Sequence, residues 1–269
     1  MNTRSLLVNV SAVLAIGAVS ILFAQKLPRT ADGHPDLNGT WDNGSGIDFV
    51  KPQHLADGSV CVSGCDPQPT AAKASAPPPA AARPPRNFPK YRPEYLAKVA
   101  ELDENQVQHD PVLRCRSPGL PRIGPPDKIV QQSKQIVFLY DDVSGDFFRI
   151  IPIDGRPHRT DVDPSTLGDS IGHWEGDTLV VEANQFNDDS WLTDNGAFHS
   201  DQLTVTERIR RVGDTLEYQA VATDPKVLTE PWTVTRVAKL TDVDLVEATP
   251  CIDKDLNHVI DGTHHNNPR

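Results

Sequence analysis

From Pro126 onward, apolar and polar residues alternate with a period of two, broken by short turns. This pattern predicts strands near 128–132, 135–141, 146–153, 178–184, 202–212, 215–223 and 231–240, with another at 244–248. Asp142-Val143-Ser144-Gly145 and Val212-Gly213-Asp214 read as tight turns between neighbours. No helical segments alternate with the strands, so a βαβ architecture is not expected. The expected fold is mainly β: an antiparallel meander forming a barrel or strongly bent sheet, lipocalin-like in outline. The only helical pattern starts at Pro93, carries Tyr95, Leu96, Val99 and Leu102, and stops before His109-Asp110-Pro111.

The N-terminal third has a different texture. Residues 1–24 combine Arg4 with an apolar run to Ala24, the pattern of an export signal. Residues 25–65 are turn-rich around Trp41 and read as an extended arm across the domain surface. Residues 66–93 include a Pro/Ala-rich stretch and read as a linker. The β domain with its leading helix then occupies 94–252, and 253–269 form a tail. The expected location is periplasmic or secreted, with a membrane contact only through an uncleaved N-terminal segment.

Charge and cysteine content narrow the function classes. The formal net charge of −11 argues against nucleic acid and against an anionic membrane surface as partners. Four cysteines in an exported chain suggest two disulfides. Cys61 and Cys65 form a tight local pair, which leaves Cys115 to join Cys251.

Several segments carry a resemblance: LPRTADGHPDLNGTW (27–41), CRSPGLPRIGPP (115–126), the block from Asp154 to Leu192, HSDQLTVTERIRR (199–211) and DPKVLTEPWTV (224–234). Together they resemble an uncharacterised family of exported, β-rich bacterial proteins. The resemblance implies no activity and no catalytic assignment.

The candidate chemistry therefore comes from the residues. On 202–212 the period-two rule puts Glu207 on one face with Leu203, Val205 and Ile209. On 231–240 it puts Arg236 with Trp232, Val234 and Ala238. A buried lone charge needs a partner, so Glu207 and Arg236 are expected to pair across the interior or line a ligand cavity with Trp174 and Trp191. His158 and His199 fall at strand ends amid carboxylates, with Asp169 and Glu175 between them. A carboxylate-held His is suited to acid–base work near neutral pH. There is no G-x-S-x-G elbow for a hydrolase of that type. His158, His173 and His199 lack metal-ligand spacing, and Asp253–Asp261 is a poor calcium loop, so no metal or cofactor is expected. The reading is a small, partly apolar ligand bound in a cavity with a polar His/carboxylate rim. Its alternative is a cofactor-free lyase, isomerase or hydrolase using His158, His199, Asp169 and Glu175.

Overall fold

The computed structural model describes residues 27–44, 53–54, 60–61, 87–246 and 251. The expected β fold is present. Its strands are β1 (Gly39–Asp42), β2 (Gln53–His54), β3 (Val60–Cys61), β4 (Lys128–Gln131), β5 (Gln135–Asp142), β6 (Gly145–Pro152), β7 (Asp169–Glu175), β8 (Thr178–Asn184), β9 (Thr204–Val212), β10 (Thr215–Thr223) and β11 (Trp232–Thr241). Among the described residues, β2 and β3 pair with each other, and the other nine form one sheet in the order β6-β5-β4-β1-β11-β10-β9-β8-β7.

The sheet curls until its two edges, β6 and β7, lie side by side without joining in a backbone ladder. Side chains close the seam. Arg149 on β6 donates from Nε and Nη2 to Ser170 Oγ on β7, at 3.3 and 2.8 Å. Gly172 leaves room for β6: a Cβ there would stand 3.0 Å from an Ile151 methyl and 3.1 Å from one of Ile153. The result is a nearly closed barrel.

Alternation fills its axis. Trp41, Phe138, Tyr140, Ile151, Leu179 and Tyr218 all point inward and are buried. Burying side chains of this size contributes about 1.5–3 kcal/mol each.

The expected strands need correction at three places. The arm does not merely cross the surface: β1 sits inside the sheet, joining β4 to β11. Trp41 is the reason, fully buried with its indole N–H donating to Leu37 O at 3.0 Å. β7 was not expected as a strand, because Ser170 and Gly172 on its inward face give no hydrophobic alternation. Residues 243–246 form no strand, and 247–248 lie outside the described residues.

The helical segment begins as a 3-10 turn, Pro93–Tyr95, continues as α1 (Leu96–Glu104) and α2 (Gln106–His109), and ends in a 3-10 turn at Pro111–Arg114. Asp110 caps the start of that last turn: its carboxylate accepts the Val112 N–H at 3.0 Å and two bonds from Arg122 at 2.8 Å each. α1 packs on the loop after Trp191 through Val99, Leu102 and Gly196, where a Cβ would come 2.7 Å from Val99 O. Cys115 and Cys251 form the expected disulfide. The expected Cys61–Cys65 pair lies outside the described residues at Cys65, as do the export signal and nearly all of the linker and tail.

Candidate functional site

The barrel interior holds a polar cluster at mid-height. Arg149 Nη2 lies 2.6 Å from Glu207 Oε2, an ion pair met off the hydrogen-bonding axis. Glu207 Oε1 accepts the Tyr218 hydroxyl at 3.0 Å, and Arg149 Nη1 donates to Tyr140 Oη at 3.1 Å. Burial pushes both tyrosine hydroxyls well above their ordinary pKa. Burial works against the Arg149 charge, but Glu207 and Tyr140 outweigh it and hold the guanidinium protonated.

Glu207 therefore faces the interior, but its partner is Arg149 and not Arg236. Arg236 shares the inward face, aligned with Tyr218, yet the sheet is open there and its guanidinium is exposed. The same period-two rule puts Arg149 on the inward face with Phe147 and Ile151, which marks it as an inward charge but does not say that it lies opposite Glu207.

The two expected histidines have different surroundings. His199 is 1% exposed. Its Nδ1 lies 2.9 Å from the Ser200 carbonyl, so this nitrogen carries the proton, and Nε2 accepts the Ser190 hydroxyl at 2.8 Å. Burial lowers the His199 pKa below its ordinary value. Both nitrogens are occupied and Ser190 is itself fully buried, so this Ser–His pair is closed to a substrate.

His158 stands on the connection between β6 and β7, its Nδ1 3.0 Å from Asp169 Oδ2. Asp169 also accepts the Arg159 backbone N–H at 3.0 Å and Arg159 Nε at 2.7 Å. Its burial opposes ionisation, but these donors from Arg159 and His158 prevail and keep its pKa below the ordinary value. His158 and Asp169 are thus brought together; His199 shares no partner with them.

Glu175 does not join them. It is exposed at the far end of β7, paired with Arg208 at 2.8 Å and close to His173. Trp174 stacks on His34 at 4.6 Å between ring centroids. Trp191 is buried beneath the Arg122 guanidinium. Arg159, Arg149 and Ser190 were not singled out as functional candidates from the sequence.

Two surface recesses are relevant. One, with volumes of about 590 and 290 Å³ in two lobes sharing Arg122, Asp194 and Arg236, opens beside β11. Its Arg122 is already tied to Asp110 at 2.8 Å and to Asp194 at 3.5 Å. The other, about 360 Å³, runs along the β6–β7 seam. Phe148, Ile150, Pro157 and Ile171 supply apolar walls, with Arg159 and Asp169 at the rim and Ser170 also lining it. Phe148 is 64% exposed and Ile150 51%. The apolar wall continues on the outer face through register partners, Ile150 to Val137 to Val130 and Phe148 to Leu139. Among the described residues no group of three or more His, Cys, Asp or Glu is arranged to hold a metal ion, and no helix is long and apolar enough to cross a membrane.

No protein-family model matches the chain. No curated protein matches it either. Among solved structures, the chain is similar to a secretary abundant heat soluble (SAHS) protein from Ramazzottius varieornatus. The identity is 12% over 42% of this chain and 69% of that one, with a TM-score of 0.28.

Proposed function

We propose that this is an exported protein, periplasmic or secreted, that binds a small, partly apolar ligand in the groove along the β6–β7 seam. The carrying observation is Phe148 and Ile150, large apolar side chains left exposed beside a rim already fixed by Asp169, His158 and Arg159. Apolar walls with a few oriented polar groups, in a volume of this order, are what small-ligand sites present. Glu207 supports this site from within, because its partner Arg149 also holds Ser170. The recess beside Arg236 is the weaker choice, since Nη1, Nη2 and Nε of Arg122 there all face carboxylate oxygens, whereas Arg159 meets Asp169 through Nε alone.

The test is a titration with an environment-sensitive anilinonaphthalene dye. The wild type is expected to enhance its fluorescence saturably. Phe148→Ser/Ile150→Ser is expected to abolish this at unchanged thermal stability. Equal dye binding by the double variant overturns the assignment.

The Asp169–His158 contact favours a second reading, cofactor-free acid–base catalysis beside the groove, on the side of Asp169 that His158 occupies. The carboxylate orients the imidazole, and Nε2 is left without a protein partner among the described residues. On this reading His158→Gln abolishes turnover while dye binding persists, and His199→Gln acts only through stability.

A further inference from the structure

Resting on the groove reading above, we infer that the ligand is a monocarboxylate with a flat apolar body, its carboxylate held by the Arg159 guanidinium. The rim has donors to spare. Both Asp169 oxygens are engaged, Oδ2 by His158 and the Arg159 backbone N–H, Oδ1 by Arg159 Nε. That bond fixes the guanidinium plane and leaves Nη1 and Nη2 without partners among the described residues. Those two nitrogens form a fork that matches a carboxylate in two parallel charge-assisted bonds.

Ser170, nearly buried where β7 borders the groove, adds a neutral hydroxyl donor at the seam. Its oxygen accepts two bonds from Arg149, a group that only donates, so its own proton is unspent. The cation behind it polarises the hydroxyl and strengthens what it gives. Fixing the fork in advance lowers the ordering cost of binding. Phe148, Pro157, Ile150 and Ile171 present flat or branched apolar surfaces to the rest of the ligand.

The experiment is calorimetric titration of the full chain with phenylpropanoate and with phenylpropanol, which has the same body without the charge. The acid is expected to bind the wild type at least about tenfold more tightly than the alcohol, as loss of charged hydrogen bonds implies. Arg159→Gln is expected to bring that ratio close to one. Arg159→Lys, which keeps the charge and loses the fork, should recover only part of it. Ser170→Ala tests the second donor, with a smaller fall in the ratio, and Arg236→Gln in the other recess should leave it unchanged. Equal binding of acid and alcohol, or an Arg159→Gln ratio like the wild type's, overturns the carboxylate assignment and leaves the groove standing. Binding of neither compound overturns both.

Discussion

Arg149 and Glu207 are the residues on which the interior is most exposed to error. Removing one leaves the other as an uncompensated buried charge, so Arg149→Met or Glu207→Gln should each cost about 3–5 kcal/mol in urea denaturation. Arg149→Met with Glu207→Leu should cost much less than either change alone. Arg236→Ala should stay within about 0.5 kcal/mol, as for an exposed residue with no ion pair among the described residues. The inward direction of Glu207 was legible in the sequence because alternation fixes a face. Its partner was not, because alternation does not say which inward charge lies opposite which. His199 carries a pH prediction. Its folded pKa is depressed below the ordinary 6.5, so the unfolded chain takes up the proton first and stability falls as pH drops below that value. Asp127 acts in the opposite sense. Burial pushes its pKa up to about 6, so the folded form binds the proton first and gains stability as pH falls through that range. Stability curves from pH 7 to 5 should therefore separate when His199→Gln is compared with the wild type: the variant loses the acid-side decline that His199 causes. Parallel curves would remove His199 from the balance.

At the level of elements, the seam depends on one missing side chain. Gly172 lets β6 approach β7, and Gly172→Val would set new methyls against Ile151 and Ile153. Overpacking of this kind costs about 1–3 kcal/mol. Hydrogen exchange should show the loss concentrated in β6 amides, with β9 and β10 keeping their protection; a uniform loss would mean that the seam is not a separate unit. The long strands were legible because their apolar positions repeat over eight or more residues. β7 was not, since a small inward-facing residue is invisible to a pattern built on hydrophobicity. β1 was not, since four residues around Trp41 are too short for any period to declare itself. The groove was hidden for a related reason: Phe148 and Ile150 read as ordinary strand residues, and only the folded sheet shows them facing outward.

For the whole molecule, the Cys115–Cys251 bond ties the segment ahead of β4 to the chain beyond β11, across a sequence separation of 136. In the chain-entropy view a loop of that size stabilises by about 5 kcal/mol through the unfolded state. Reduction should lower the midpoint of thermal unfolding sharply, and Cys115→Ser/Cys251→Ser should reproduce the reduced protein. A negligible shift would mean that the nine-strand sheet needs no such tether. The strand content and this pairing followed from alternation and cysteine count. The order of strands did not, because β1 comes from a distant part of the chain.

The number of strands has a consequence of its own. Every neighbouring pair in the sheet is antiparallel, so direction reverses at each step, and after eight steps the ninth strand points the same way as the first. An odd count therefore makes β6 and β7 run parallel, although they follow one another in the chain. Parallel neighbours cannot be joined by a tight hairpin; the chain must travel back the full height of the barrel before starting again. Residues 153–168 make that return. Arg156, His158 and Arg159 ride on it, and it delivers the chain to Asp169 beside the seam. With one strand more or fewer, a short turn would suffice there, and the segment that builds the rim would have no reason to exist.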